Sequence, residues 1–281
     1  MRYWLLCLVL AGCSRLPVEP LPSQSFNGRV QFLVLHFTAE HFQGSVDALV
    51  HSGLVSSHYL IPQPDDPTYP YGKLKIFQLV AEKDRAWHAG ASQWQGRSNL
   101  NDQSIGIEIV NQPSCEPPPY PSGRRQCQYP DFAPAQMALV QALAKDILAR
   151  YPDIGPTQVV GHADIAPSRK DDPGPRFPWF ELYQAGVGAW YDDADVSRFS
   201  QQFSAEPPSL TLVQQALAAY GYGLAASGEP DRRTQDCLLA FQMHFLPWHL
   251  SGQADLQTAA ALFALLDKYF PDKAATLLAG G

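Results

Sequence analysis

The sequence predicts an α/β fold, a mixed central β-sheet flanked by helices, followed by a small all-α domain of three helices. Three observations predict it. Short apolar runs of strand character, such as VQFLVLHFT (30–38), SIGIEIVN (104–111) and TQVVGH (157–162), occupy the first part of the chain. A long amphipathic segment, APAQMALVQALAKDILARY (133–151), is interleaved with them. Beyond residue 207 the patterns are helical only, three in succession.

The chain starts with MRYWLLCLVLAGC, one basic residue, a short apolar run and small residues up to Cys13. The run is too short for a mature transmembrane helix, so residues 1–12 read as a signal peptide. LAGC resembles a bacterial lipobox, in which Cys13 becomes the lipidated first residue; a thioether diacylglyceryl group plus a further acyl chain suffices for stable anchoring. The alternative is an ordinary secretory signal with a chance cysteine. Ser14 stands where the inner-membrane retention rule wants Asp. The expected location is therefore the outer membrane of a Gram-negative cell, facing the periplasm. Residues 13–26 are a Pro/Ser-rich tether.

VQFLVLHFT reads as a buried strand ending at His36, and SVDALVHSG (45–53) as a short helix with Ser45 as cap and Gly53 as stop. VSSHYLIP and KIFQLV are further strands. In SIGIEIVN the period of two places Ile105, Ile107 and Ile109 on one face and Gly106, Glu108 and Val110 on the other. The long helix has Pro134 in its first turn and Pro152 beyond its end. The pattern loosens over 191–207, which reads as a linker between a first domain (27–190) and a helical one (208–275). LTLVQQALAAYGY, DRRTQDCLLAFQMHFL and DLQTAAALFALLDKYF supply its three helices, with Gly228 and the cap Asp231 as punctuation. No His/Asp/Glu cluster occurs there, so chemistry is expected in the first domain.

A hydrophobic share of 46% is ample for a core, and a formal charge of −7 argues against a nucleic-acid partner; Arg124 and Arg125 are too few to neutralise phosphates. Cys115 and Cys127 flank a short loop that a disulfide can close in an oxidising compartment, in line with export. Cys7 leaves with the signal and Cys237 reads as a core thiol. With no C-x-x-C pair, a cysteine-held zinc is not expected.

His36 and His162 differ from the other histidines because each ends an apolar strand, the edge where sheet enzymes place their sites. Imidazole is a preferred zinc donor, and catalytic Zn²⁺ takes three protein ligands and an open position. In the extended loop after His162, Lys170 and Asp172 fall on one side and Asp171 on the other, which offers Asp172 as third ligand and Lys170 as oxyanion stabiliser. On spacing alone, a polar surface turn with a salt bridge remains open.

LVLHFTA, VSSHYLI, AWHAGAS, LNDQSIGIEIVN and VVGHADIAPSRKDDPGPRFPW, in this order over about residues 27–185, resemble the blocks of the zinc-dependent N-acetylmuramoyl-L-alanine amidases, in the branch of AmpD and AmiD. The resemblance implies His36, His162 and Asp172 as zinc ligands, and Glu108 and Lys170 as catalytic residues. Ser57 stands where related phage enzymes carry a tyrosine, consistent with the branch that uses Glu108. The segment WHAG offers Trp87 and His88 as an aromatic and a polar group lining the cleft, and the resemblance offers Arg97 and Asn101 as peptide or sugar contacts. His58 reads as support for a ligand or water or, equally, as a satisfied structural histidine, and His41, His51, His244 and His249 are taken as surface or packing residues. The C-terminal helices resemble a peptidoglycan-binding domain. The implied activity is hydrolysis of the amide between N-acetylmuramic acid and L-alanine in peptidoglycan or its (anhydro)muropeptide fragments. Peptidoglycan and, through the lipid, the membrane are the expected partners, and nothing demands more than a monomer. A non-catalytic peptidoglycan-binding lipoprotein of the same fold is the alternative; a zinc peptidase is disfavoured because no H-E-x-x-H segment occurs.

Overall fold

The structure is a computed structural model that describes residues 16, 18–116 and 127–280. The signal segment, Cys13, Arg124 and Arg125 lie outside the described residues. In chain order, β1 (Phe32–Phe37) leads into a short helix α1 (Phe42–Val46) that continues as a π-helical turn over Asp47–His51. Strands β2 (Tyr59–Ile61) and β3 (Phe77–Gln78) follow, then the pair β4 (Gln93–Trp94) and β5 (Arg97–Ser98), and β6 (Ser104–Ile109). A small pair, β7 (Ser114–Cys115) and β8 (Cys127–Gln128), carries the Cys115–Cys127 disulfide. Helix α2 (Pro134–Arg150), strand β9 (Val159–Gly161), α3 (His162–Ile165) and α4 (Trp179–Gln184) complete this part.

The central sheet has the order β3-β2-β6-β1-β9. Four strands are parallel and β3 runs antiparallel, so the sheet is mixed. β1 and β6 are near-continuously apolar because both sheet faces are covered, as parallel strands require. Ile105, Ile107 and Ile109 are fully buried in a core shared with Val140, Ala144 and Ile147 of α2.

Three expectations need correction. Ser45 is not a cap: α1 starts earlier, with His41 at the N-cap position, because the buried Phe42 anchors its first turn. The Ser45 hydroxyl instead donates to the His41 carbonyl at 2.9 Å. Gly53 does end the segment, with φ +69°. His162 does not end β9 but opens α3, a single turn whose Asp164 carboxylate accepts the Gly161 N–H at 2.8 Å. The segment read as a linker contains the 13-residue helix α5 (Asp193–Ala205). Its polar composition hides two aromatics at i, i+4, Phe199 and Phe203, both buried against Phe263 with ring centroids 5.8 and 5.1 Å away.

The expected three C-terminal helices are α6 (Leu210–Tyr220), α7 (Arg232–Phe245) and α8 (Leu256–Tyr269), joined by a further helix α9 (Pro271–Gly280). Ser209, Asp231 and Asp255 cap α6, α7 and α8 by accepting the N–H of Leu212, Thr234 and Thr258. Two buried glutamines repeat one device: Gln214 joins Gly228 N–H to the Thr234 hydroxyl, and Gln242 joins Gly252 N–H to that of Thr258.

The helical part shares one hydrophobic core with the sheet part. Trp94 of β4 forms an isolated antiparallel bridge with Tyr222 and stacks on it edge to face at 4.8 Å. Gly221 lies under that indole; a Cβ there would come within 2.7 Å of the ring, so only glycine permits the approach. Phe199→Ala is expected to lose about 3–5 kcal/mol of stability, read from the urea midpoint, as a filled core site does. A loss under about 0.5 kcal/mol would mark 191–207 as an unpacked linker after all.

Candidate metal and catalytic site

The site forms where parallel register aligns strand ends. His36 is paired with Glu108 across β1 and β6, and Leu60 of β2 with Glu108 on the other side. On the other flank Leu35 pairs with Gly161, the last residue of β9, and His162 follows it as the first residue of α3. Glu108 shares its face of β6 with Ser104 and Gly106.

Three donor atoms converge there. His36 Nδ1 lies 3.0 Å from His162 Nδ1 and 2.9 Å from Asp172 Oδ2, and His162 Nδ1 lies 3.1 Å from the same oxygen. All three residues are buried, and they form the sole such cluster of His, Cys, Asp or Glu donors among the described residues. Ligands on a tetrahedral zinc at about 2.0–2.1 Å stand about 3.3 Å apart, so this triangle fits a small divalent ion with slight expansion. Two imidazoles and one carboxylate leave a fourth position open.

The far sides of both imidazoles are fixed. Ser104 donates its O–H to the Leu100 carbonyl at 2.6 Å, which leaves its oxygen to accept from His88 Nε2 at 3.2 Å. His88 Nδ1 then accepts from His36 Nε2–H at 3.0 Å. The carbonyl can only accept, so the whole chain is ordered and the His36 Nδ1 lone pair faces the cluster. His162 Nε2 donates to the Ala89 carbonyl at 3.1 Å, and Arg169 donates to the same oxygen at 2.8 Å. Burial, opposed by the Asp172 hydrogen bond, lowers the pKa of His36 to about 4, which keeps the imidazole neutral and able to ligate. Burial and the neighbouring His36 and His58 push His88 well below the ordinary histidine range. Burial alone would raise Asp172, but the adjacent His162 and His36 hold its carboxyl far below the usual range.

Glu108 Oε1 lies 4.0 Å from His36 Nδ1, and its buried Oε2 makes no hydrogen bond within the chain. Burial raises the Glu108 pKa well above the carboxylate range; Asp172 adds to this and Lys170 partly offsets it. Glu108, Lys170, Trp87, His88, His162 and Asp172 all line one cavity of about 170 Å³. Lys170 and Asp172 also line an adjoining groove of about 730 Å³, to which α7 contributes Arg232 and Met243. Asp171 lines that groove as well rather than the smaller cavity, and its carboxylate accepts from the Tyr129 hydroxyl at 2.7 Å.

The remaining candidates separate. Trp87 is half exposed at the cavity wall. His88 reaches the cavity too, but its hydrogen bonds serve His36. Asn101 is buried, its side-chain oxygen accepting the His88 and Ala89 N–H groups at 3.0 and 2.7 Å, so it shapes the backbone that meets His162. Arg97 is exposed, bonds Gln103 and lines neither the cavity nor the groove. His58 touches no donor of the cluster: its Nδ1 accepts Gly106 N–H at 3.0 Å, and its ring packs on His88 at 5.7 Å. Sequence reasoning missed Ser104 and Arg169. The alternation that exposed Glu108 already placed Ser104 on its face, whereas no local signal marks Arg169.

Residues 26–175 match the family described as N-acetylmuramoyl-L-alanine amidase. The chain is 42% identical to the N-acetylmuramoyl-L-alanine amidase AmiD of Escherichia coli K12, over 96% of this chain and 99% of that one. The crystal structure of AmpDh3 from Pseudomonas aeruginosa in complex with anhydromuramic pentapeptide superimposes with a TM-score of 0.83 at 47% identity, covering 92% of this chain and 99% of that chain. The complex of E. coli AmiD with anhydro-N-acetylmuramic acid-L-Ala-D-γ-Glu-L-Lys gives 0.75 at 44%, covering 89% and 93%.

Replacing His88 with Ala frees the far side of His36. Metal affinity measured by chelator competition is expected to fall about 10–100-fold; an unchanged constant would remove His88 from the support of the donor set.

Proposed function

Since the chain belongs to the N-acetylmuramoyl-L-alanine amidase family, we propose that it is a zinc hydrolase of the amide between the lactyl group of N-acetylmuramic acid and the L-alanine of the stem peptide. The observation that carries this reading is the convergence of His36 Nδ1, His162 Nδ1 and Asp172 Oδ2 within 3.1 Å of one another, beside a buried carboxyl at Glu108. The anhydromuramyl peptides bound to AmpDh3 and AmiD support such fragments as substrates. The complete donor set speaks against a purely binding role.

Zinc held by His36, His162 and Asp172 supplies Lewis-acid polarisation of the scissile carbonyl and a lowered pKa for water. Glu108 accepts the proton of the attacking water and delivers it to the departing alanine nitrogen. Lys170, on the wall of the same cavity, offers a cation to the developing oxyanion. The exposed indole of Trp87 gives the cavity mouth an apolar face for a sugar or peptide group.

The proposal extends to location and organisation. Lipid on Cys13 anchors the chain to the outer membrane, facing the periplasm; the lipobox-like LAGC and Ser14 support this. The helical part at 208–275 binds the wall, and the chain acts as a monomer. Among the described residues no helix is long and apolar enough to cross a membrane.

Digestion of a defined anhydromuramyl peptide, read by mass, is expected to release the intact stem peptide with a free amino group on its L-alanine, and a chelator to abolish release. Cleavage inside the stem, or chelator-resistant turnover, would refute the proposal. Glu108→Gln is expected to lower kcat by about 10²–10⁴-fold while zinc content is retained; undiminished hydrolysis in that variant excludes Glu108 as the proton carrier.

A further inference from the structure

Asp164 is the third residue of α3, the turn that His162 opens. It is buried, yet both of its oxygens are engaged. Oδ2 accepts the Gly161 N–H and His244 Nδ1–H, each at 2.8 Å, and Oδ1 accepts the Tyr222 hydroxyl at 2.7 Å. Two of these three donors come from the helical part, beyond the residues that match the amidase family. Both are themselves fixed. The His244 ring is stacked between Trp179 and Phe245, with centroids 3.7 and 3.9 Å away and interplanar angles of 16° and 7°. Tyr222 is locked under Trp94 by the isolated bridge. Burial and the neighbouring Asp164 raise the Tyr222 pKa well above the usual phenol range, so its hydroxyl remains a donor.

The same turn controls two members of the donor cluster. The Gly161 N–H bond orients the start of α3 and thus the Cα–Cβ vector of His162. The next N–H, that of Ala163, donates to the Asp172 carbonyl at 2.8 Å and ties the backbones of the two donors together. The approach is close: a Cβ at Gly161 would meet Pro173 Cδ at 2.7 Å, so a side chain there would push against the residue after Asp172. We infer that Asp164, clamped by Tyr222 and His244 of the helical part, is a positioning residue that sets the geometry of His162 and Asp172 toward the metal. The helical part on this view completes the hydrolytic site, in addition to any hold on the wall. The inference rests on the proposed metal role of His36, His162 and Asp172.

The test uses the full chain with zinc and with Co²⁺, whose visible absorption reports ligand geometry. Tyr222→Phe removes one oxygen and leaves the ring packing intact; His244→Leu removes the second donor, and His244→Asn restores an N–H near the Nδ1 position. Tyr222→Phe and His244→Leu are expected to weaken zinc binding about tenfold, to shift the cobalt bands, and at saturating zinc to lower kcat with KM unchanged. His244→Asn is expected to recover part of the loss. A lowered melting temperature with wild-type zinc affinity, cobalt spectrum and kcat would show a merely structural clamp and overturn the inference. If the wild-type chain and His162→Ala bound zinc equally, the metal reading would fail, and the inference with it.

Discussion

Three buried lone pairs aimed at one point, 2.9–3.1 Å apart, are the constraint on which the molecule is built. Unshielded donors of this kind repel, and burial denies them water, so the surrounding structure must hold them in place. Parallel strand pairing does most of this. One register places Glu108 and His36 side by side at the C-terminal edge of β6 and β1, and His162 follows directly on the end of the adjacent β9. Slipping β1 against β6 by one residue would turn His36 to the face opposite Glu108.

Hydrogen bonds behind the donors convert a coarse placement into a directed one. Each imidazole has its second nitrogen committed, His36 through His88 and Ser104 to the Leu100 carbonyl, His162 to the Ala89 carbonyl. An unpaired buried polar group costs about 1–3 kcal/mol, so breaking such a chain anywhere is unfavourable along its length. Close packing depends on this network as well. A Cβ on Gly106 would meet the His88 ring at 2.6 Å, so the strand that carries Glu108 must lack a side chain there.

The helical part is joined to this arrangement in two places. Its Arg232 and Met243 line the groove beside Lys170, and its Tyr222 and His244 meet Asp164 next to a cluster donor. Such contacts are costly to separate, because they combine a shared apolar core with a carboxylate whose partners lie on different elements.

Much of this was legible in the chain. Apolar runs leading up to histidine, the period of two in SIGIEIVN, the Pro-bounded long helix and the cap Asp231 are local signals, set by backbone sterics and side-chain alternation. Strand ends and alternation pointed to His36, His162 and Asp172 as candidates, the order of the blocks added Glu108, and the structure brings these four side chains together. Elements whose stability comes from distant partners were not legible. Helix α5 looked like a linker because its composition is polar and its two phenylalanines gain value only against Phe263. Asn101, offered as a substrate contact, bonds backbone N–H groups that no spacing rule locates, and His58, left open between support and structure, does the same. His244, read as packing, joins Asp164 across 80 positions of sequence. The sequence by itself determined which atoms can bind and which strands carry them, because donor chemistry and periodicity are local. Tertiary structure alone decided which of those atoms meet, since convergence depends on register, burial and the competing hydrogen bonds of groups far apart in the chain.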